Sequence, residues 1–260
     1  KAIFTLFKDK NYRAYHFMQW VNVLAMLGKM STYLAAITVG SSKNILLTLP
    51  TAVGTVVGNL ITTKLSKKYE PTKLLKFCGP YSLISAGILF TICFVEAQFG
   101  LKFFSGWNSI FFYVLYFIFG IGIGIQELSN SHFNVEFYDY LEWKTGERME
   151  AVQGIVPGWI QTALNYLRDL MIPFMIAWAG YQSSAEGDLV ATMQAQPTYL
   201  KTCLLLLAFL LFGYTLSNLL KSIILKTTYE IEGEKKEQMY RELEVMRAER
   251  HEENLAIEGK

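Results

Sequence analysis

The chain has 260 residues, of which 52% are hydrophobic and 15% are aromatic, and its formal net charge is only +2. A mean hydropathy of +0.25 is higher than the wet surface of a soluble domain allows. The basic residues lie between apolar runs or in the tail and form no continuous basic stripe, so nucleic acid is not an expected partner. The composition predicts an integral membrane protein.

In chain order, six segments contain the roughly 20 mostly apolar residues that a transmembrane helix needs. They cover residues 12–39, 44–63, 74–95, 110–135, 151–181 and 199–220. The predicted fold class is an all-α membrane protein with six transmembrane helices in residues 1–226, followed by a hydrophilic tail in residues 227–260. In the tail, Met239, Leu243 and Met246 recur at helical spacing, which predicts an amphipathic cytoplasmic helix on the inner surface.

The basic residues also indicate the orientation. Five lysines lie between the second and third segments or at the start of the third, and four basic residues precede or open the first. By the positive-inside rule, both termini and the stretch 136–150, in which seven of fifteen residues are charged, lie in the cytoplasm. We expect a multi-pass protein of the cell (inner) membrane.

Several small residues are best explained by packing. Cys78, Cys93 and Cys203 lie in or beside apolar runs, without the paired spacing of a disulfide framework or a zinc site. Gly54 and Gly58 are four residues apart, which favours close helix packing over a hinge. No hydrolase, metalloprotease or phosphate-loop motif occurs, so we expect no enzyme activity, no catalytic residue and no metal or cofactor in this chain.

Five ionisable residues fall inside the predicted spans, where a charge is costly and usually functional: Lys29, Glu127, His132, Arg168 and Asp169. At a helical rise of 1.5 Å per residue, Lys29 and Asp169 come to the same level, which predicts an ion pair. Arg168 and Asp169 are adjacent, point to different faces of one helix and are not expected to pair.

The inner half of the fourth span is polar on nearly every side. Its polar residues are Gln126, Glu127, Ser129, Asn130, Ser131, His132 and Asn134. Lipid does not tolerate such a helix. The pattern indicates either a water-filled cavity or a set of hydrogen bonds between helices.

The charged stretch reads Asp139-Tyr140-x-Glu142-x-Lys144-Thr145-Gly146-x-Arg148-x-Glu150. It follows a polar span and precedes another helix, and it resembles the cytoplasmic motif between helices ten and eleven of the glycoside-pentoside-hexuronide:cation symporters. These are the melibiose-carrier group of the major facilitator superfamily. The resemblance implies that this chain is the C-terminal six-helix half of a twelve-helix carrier. Because the chain begins without Met, a fragment and a native half-size protein both remain open.

Carriers of this kind bind sugar near the midplane between two halves and rock around it. The resemblance implies a set of sugar-facing residues on the fourth and fifth spans: Gln126, Glu127, Asn130, Trp159, Gln161 and Thr162. It also implies a cytoplasmic gate that closes by salt bridges to the other half: Asp139, Glu142, Lys144 and Arg148.

The resulting hypothesis is secondary active transport of a sugar or glycoside, coupled to Na⁺ or H⁺ by alternating access. The coupling ion would bind in the absent N-terminal half. The expected partners are that half or a second subunit, the sugar and the lipid bilayer. The alternative is a non-transporting membrane scaffold or half-size subunit that assembles with another chain.

Overall fold

A computed structural model of the chain describes residues 6–25, 29–40, 43–102, 104, 106–147, 154–182 and 189–258. Within these ranges the regular structure is helical, without a β-strand, which confirms the predicted all-α class. The helices are α1 (Lys10–Ala25), α2 (Met30–Thr38), α3 (Asn44–Leu65), α4 (Pro71–Gln98), α5 (Asn108–Thr145), α6 (Ile155–Trp178), α7 (Leu189–Gln194), α8 (Tyr199–Thr227) and α9 (Glu234–Glu258).

Five helical stretches of the described chain are long and apolar enough to cross a membrane. They are Lys10–Thr38, which contains α1 and α2, then Ile45–Leu65, Pro71–Gln98, Asn108–Thr145 and Tyr199–Thr227. The chain therefore has the architecture of a multi-pass membrane protein. The fifth predicted span, residues 151–181, contains α6, but α6 is not among the five stretches. Gln161, Asn165, Arg168 and Asp169 lower its apolar character, so the count of six spans stays a prediction.

Helix α5 is longer than the span predicted for it. It has 38 residues and continues through the first part of the charged stretch to Thr145. At 1.5 Å per residue it is about 57 Å long, nearly twice the roughly 30 Å of a bilayer core, so its charged end extends beyond the hydrocarbon. Gly146 ends it in the left-handed conformation, with φ of 76°, and donates its N–H to the Glu142 carbonyl.

Helices α3 and α5 pack with their backbones in close contact at glycines. A Cβ atom added to Gly58 would lie 2.2 Å from the Ile121 carbonyl oxygen, and one added to Gly124 would lie 2.1 Å from the Thr55 carbonyl oxygen. This confirms the prediction that Gly54 and Gly58 serve packing, because no side chain fits between the two helices at these points.

Two apolar clusters fill the bundle. The first lies between α2, α4, α5 and α8, where Cys93 and Cys203 are buried as free thiols. The second joins the start of α1 to the charged end of α5, where the Tyr15 and Phe137 rings stack with centroids 3.6 Å apart. Met239 of α9 belongs to this second cluster, so the tail helix packs onto the bundle.

The outer surface of the bundle is strongly apolar. Large side chains such as Leu60, Phe174 and Trp178 are mostly exposed on α3 and α6. In water such a surface would be unfavourable, whereas in a bilayer the lipid tails cover it. The polar groups that need explanation are therefore the ones inside the bundle.

Candidate functional site

A cavity of about 540 Å³, here called the central cavity, lies between α1, α2, α3, α5 and α8. Its polar lining residues are Asn22, Ser31, Thr48, Thr51, Gln126, Glu127, Asn130, Ser131 and Tyr214. Aromatic and aliphatic side chains complete the wall, among them Tyr116, Phe119 and Leu210. The cavity has the mixture of an apolar wall and a few polar groups that is typical of small-molecule sites.

The central cavity includes three of the six residues that the resemblance assigned to sugar. Gln126 is buried and its Oε1 accepts a hydrogen bond from the Tyr214 hydroxyl at 3.2 Å. Asn130 has a buried Oδ1 with no hydrogen-bond partner in the part of the chain that the structure describes. Glu127 is exposed at the cavity. A buried amide oxygen normally has a donor, and a water or a solute hydroxyl can supply it.

A second cavity of about 400 Å³, here called the side cleft, lies between α1, α5 and α6. It is lined by Tyr15, His16, Gln19, Trp20, Asn22, Asn134, Tyr138, Gly154, Pro157, Gly158, Gln161 and Asn165. Asn22 lines both cavities, so they meet at α1. Gln161, the fourth residue assigned to sugar, lies in this cleft and donates from Nε2 to Asn165 Oδ1 at 3.2 Å.

The other two residues assigned to sugar line neither cavity. Trp159 is 69% exposed on the outer surface of α6. The Thr162 hydroxyl donates to the Gly158 carbonyl oxygen of its own helix at 2.9 Å. Gly158, Gln161 and Asn165 recur at spacings of three and four, which sets one face of α6 against the cleft and turns residues 159 and 162 away from it.

The ion pair predicted between Lys29 and Asp169 is present, with Lys29 Nζ 3.2 Å from Asp169 Oδ1. The expectation that Arg168 and Asp169 do not pair is wrong. Arg168 Nε donates to Asp169 Oδ1 at 2.9 Å, and Arg168 Nη2 lies 2.8 Å from the same oxygen. The Cα–Cβ bonds of the two residues do point in different directions, but the arginine side chain is long enough to fold back onto its neighbour.

At the charged end of α5, two residues of the predicted gate bind the tail helix of the same chain. Arg247 Nη2 lies 2.8 Å from Asp139 Oδ1 and 2.5 Å from Glu142 Oε2. Arg250 Nη1 lies 3.1 Å from Glu142 Oε1. These two carboxylates raise the pKa of Arg247 by hydrogen bonding and charge attraction. Asp139 and Glu142 are thus occupied by α9.

Lys144, a third residue of the predicted gate, lies 3.6 Å from Asp9 Oδ2 through its Nζ. Asp9 also accepts from the Tyr140 hydroxyl at 2.8 Å and caps the start of α1 through the Tyr12 N–H at 2.9 Å. The charged end of α5 is therefore tied to α1 as well as to α9. Arg148, the fourth gate residue, lies outside the described residues.

Sequence reasoning missed Lys221, which is 1% exposed inside the bundle. The sixth predicted span stopped at residue 220, which placed Lys221 at the membrane surface, whereas α8 continues to Thr227. Lys221 Nζ donates a hydrogen bond to Asn22 Oδ1, at the point where the two cavities meet. The surrounding sequence Asn-Leu-Leu-Lys-Ser-Ile-Ile-Leu, with a lone lysine in an apolar run, was the available signal.

No family model, curated protein or solved structure matches this chain. Among the described residues there is also no cluster of three or more His, Cys, Asp or Glu side chains that could hold a metal ion. A functional interpretation therefore rests on the two cavities and the charged end of α5.

Proposed function

We propose that this chain is one half of a secondary transporter that moves a hydroxyl-rich solute, such as a sugar or glycoside, together with Na⁺ or H⁺. It would supply the C-terminal half of a carrier of the major-facilitator type, with six spans and both termini in the cytoplasm. The observation that carries the proposal is the central cavity, which Gln126, Glu127 and Asn130 line inside a bundle whose outer surface is apolar.

The chemistry of the central cavity suits a sugar. Asn130 Oδ1 and the Glu127 carboxylate are acceptors for hydroxyl groups, and the Gln126 amide nitrogen is a donor. Tyr116 and Phe119 supply aromatic surface for the apolar face of a sugar ring. An intramembrane carboxylate such as Glu127 is by default a functional group, because lipid would exclude a carboxylate without a role.

The proposed mechanism is alternating access. In such carriers the substrate site lies between two halves, and rocking of one half against the other opens it to each side in turn. This chain would provide one wall of the site. A second six-helix half, or a second subunit, would provide the opposite wall and the coupling-ion site.

Whole-cell uptake tests the proposal. Cells producing the chain together with its partner half are given labelled glycosides, with and without a Na⁺ or H⁺ gradient. We expect cation-dependent accumulation of at least one glycoside, and a loss of more than tenfold in Asn130→Leu, because a buried hydrogen bond to the solute disappears.

Thr63→Val is the matched control, since among the described residues the Thr63 hydroxyl donates only to the Asn59 carbonyl of its own helix, at 2.9 Å, and Thr63 lines neither cavity. It should transport like the wild type. If no glycoside accumulates under any gradient, the transport proposal fails.

A non-transporting scaffold is the second candidate, and one observation favours it. Asp139 and Glu142, which a carrier would use to close against its other half, are already bound by Arg247 and Arg250 of α9. Absence of uptake together with stable co-purification of a second membrane chain would support the scaffold.

A further inference from the structure

Two asparagines on different helices line the side cleft, Asn134 on α5 and Asn165 on α6. In each of them the carbonyl oxygen already accepts a hydrogen bond from the protein. The amide nitrogen of each has no partner in the part of the chain that the structure describes. The assignment of oxygen and nitrogen in each side-chain amide follows from the groups that are hydrogen-bonded to it.

Behind Asn134 is a chain of hydrogen bonds that starts at Lys221. An ammonium group can only donate, so its bond to Asn22 fixes Asn22 Oδ1 as the acceptor. Asn22 Nδ2 then donates to Gln19 Oε1 at 3.2 Å, and Gln19 Nε2 donates to Asn134 Oδ1 at 2.9 Å. Each amide orients the next, and the last donor of the chain is Asn134 Nδ2.

Behind Asn165 is a guanidinium group. Arg168 Nη1 donates to Asn165 Oδ1 at 3.2 Å, and Gln161 Nε2 donates to the same oxygen at 3.2 Å. Because a guanidinium has donors only, the identity of Asn165 Oδ1 is fixed. Asn165 Nδ2 is therefore a second donor in the lining of the side cleft, on a different helix from Asn134.

A buried positive charge lies at the start of the hydrogen-bond chain that ends at Asn134. Lys221 is 1% exposed and has no ion-pair partner among the described residues. Arg168 is 9% exposed and binds Asp169, which also binds Lys29. The side cleft has no acidic residue in its described lining, since Glu127 faces the central cavity. A buried cation polarises the amides bonded to it, which strengthens the donors at the far end.

We infer that the side cleft binds the carboxylate group of a solute, held by Asn134 Nδ2 and Asn165 Nδ2 and attracted by the buried charge of Lys221. The cleft volume of about 400 Å³ is in the range of small-molecule sites. The inference rests on the proposed function in taking this solute to be the one transported, and what it adds is a place for a carboxylate in the side cleft, apart from the central cavity.

Binding to the purified chain in nanodiscs tests this with a matched pair of probes, D-gluconate and D-gluconamide. The two compounds have the same hydroxyl groups and differ in the carboxylate. From the thermal unfolding midpoint at increasing probe concentration, we expect the wild type to prefer gluconate roughly tenfold, as charge-assisted hydrogen bonds predict.

Two isosteric variants, Asn134→Asp and Asn165→Asp, keep the acceptor for Gln19 or Arg168 and replace the donor by a negatively charged oxygen. Both should lose the preference for gluconate, and Lys221→Met should weaken it. Asn108→Asp makes the same change at the first residue of α5, away from both cavities, and should keep the preference.

Equal binding of gluconate and gluconamide to the wild type would overturn the inference, and so would an undiminished preference in both aspartate variants. These outcomes are separable from failure of the transport proposal. Cation-driven uptake of a neutral glycoside without any preference for gluconate removes only the inference. Preference for gluconate without uptake of any solute removes transport and leaves the carboxylate site.

Discussion

Glu142 is the carboxylate with the most partners at the charged end of α5. It is 3% exposed and accepts from both Arg247 and Arg250, which are 43% and 39% exposed. Arg250 also donates to the Gly146 carbonyl oxygen at 2.6 Å, at the C-terminal end of α5. The carboxylate is buried, whereas the guanidinium groups are half in water. Loss of these ion pairs would therefore destabilise the Glu142 carboxylate more than the two arginines, which water can still solvate.

We predict that Glu142→Gln weakens the docking of α9. The variant keeps the shape of the side chain but loses its charge. We expect the free energy of α9 docking to weaken by about 1 to 2 kcal/mol and no more, because solvent screens the exposed guanidinium groups. The measurement is the rate at which a protease cuts α9 in the detergent-solubilised protein. Glu244→Gln on the exposed side of α9 is the control and should be cut at the wild-type rate. Equal rates for the two variants would contradict the role of Glu142.

For individual residues, the sequence predicts the height of each residue along its helix, but it does not predict where a long side chain ends. The Lys29 and Asp169 pair follows from counting residues along two spans. The Arg168 and Asp169 pair does not, because helical spacing fixes Cα directions and leaves the path of a long side chain open. Lys221 was missed because the end of a helix is the least certain part of a sequence-based prediction.

At the scale of helices, the contact between α3 and α5 is the most sensitive to side-chain size. Each helix contributes two glycines to this contact, Gly54 and Gly58 from α3 and Gly120 and Gly124 from α5. A Cβ atom added to any of them would lie 2.6 Å or less from a backbone atom of the other helix. Backbone atoms cannot rotate away as a side chain can, so the two helices would have to separate. Helix α5 also carries one wall of each cavity, and separation would move both walls.

We predict that Gly124→Ala destabilises the protein by about 1 to 3 kcal/mol or more, the usual range for overpacking a tight core. Gly87→Ala in α4 is the control, since a Cβ atom there has no neighbour within 4 Å. Alanine has a higher helix propensity than glycine, so the control variant should be as stable as the wild type or slightly more stable. Thermal unfolding of both purified variants measures this, and a Gly124→Ala midpoint equal to that of Gly87→Ala would contradict the packing argument.

The sequence predicts that these helices have close-packing faces, since glycines four residues apart are typical of them. It does not predict which helices meet, because Gly58 and Gly124 are far apart in sequence and every span in the chain is apolar enough to be a partner. The same limit applies to the sites. The polar face of α5 was predicted, but its division between the central cavity and the side cleft depends on how α1 and α6 pack against it.

Helix α9 and the segment before it contact α1 and α5, which are remote from them in the sequence. Met239 and Leu243 are buried, and the neighbouring segment binds α1, because Lys10 Nζ lies 2.7 Å from Glu230 Oε1. Trp143 Nε1 of α5 donates to Glu242 Oε2 at 2.7 Å. The sequence predicts an amphipathic tail helix but not its docking on α5, because salt bridges between residues about 100 positions apart leave no periodic signal.

The docking of α9 should be sensitive to acid. The hydrogen bond from Lys10 lowers the pKa of Glu230, and hydrogen bonds from Gln238 and Trp143 lower the pKa of Glu242, both from an ordinary value of 4.5. A lowered pKa in the folded state stabilises the protein above pH 4.5, and the stabilisation is lost as the pH falls through the lowered values. We therefore expect α9 to become more accessible to an acid-active protease, and Trp143 fluorescence to change, as the pH falls below about 4.5.

The double variant Glu230→Gln and Glu242→Gln separates these two groups from the other carboxylates that titrate at acid pH. Glutamine keeps an acceptor oxygen for Lys10 and Trp143 but has no proton to gain, so the variant should be less tightly docked at neutral pH and should change less on acidification. Wild type and variant with the same pH profile would show that Glu230 and Glu242 do not link α9 docking to pH. In that event the acid response would point to Glu142, because the hydrogen bonds and positive charges of Arg247 and Arg250 lower its pKa.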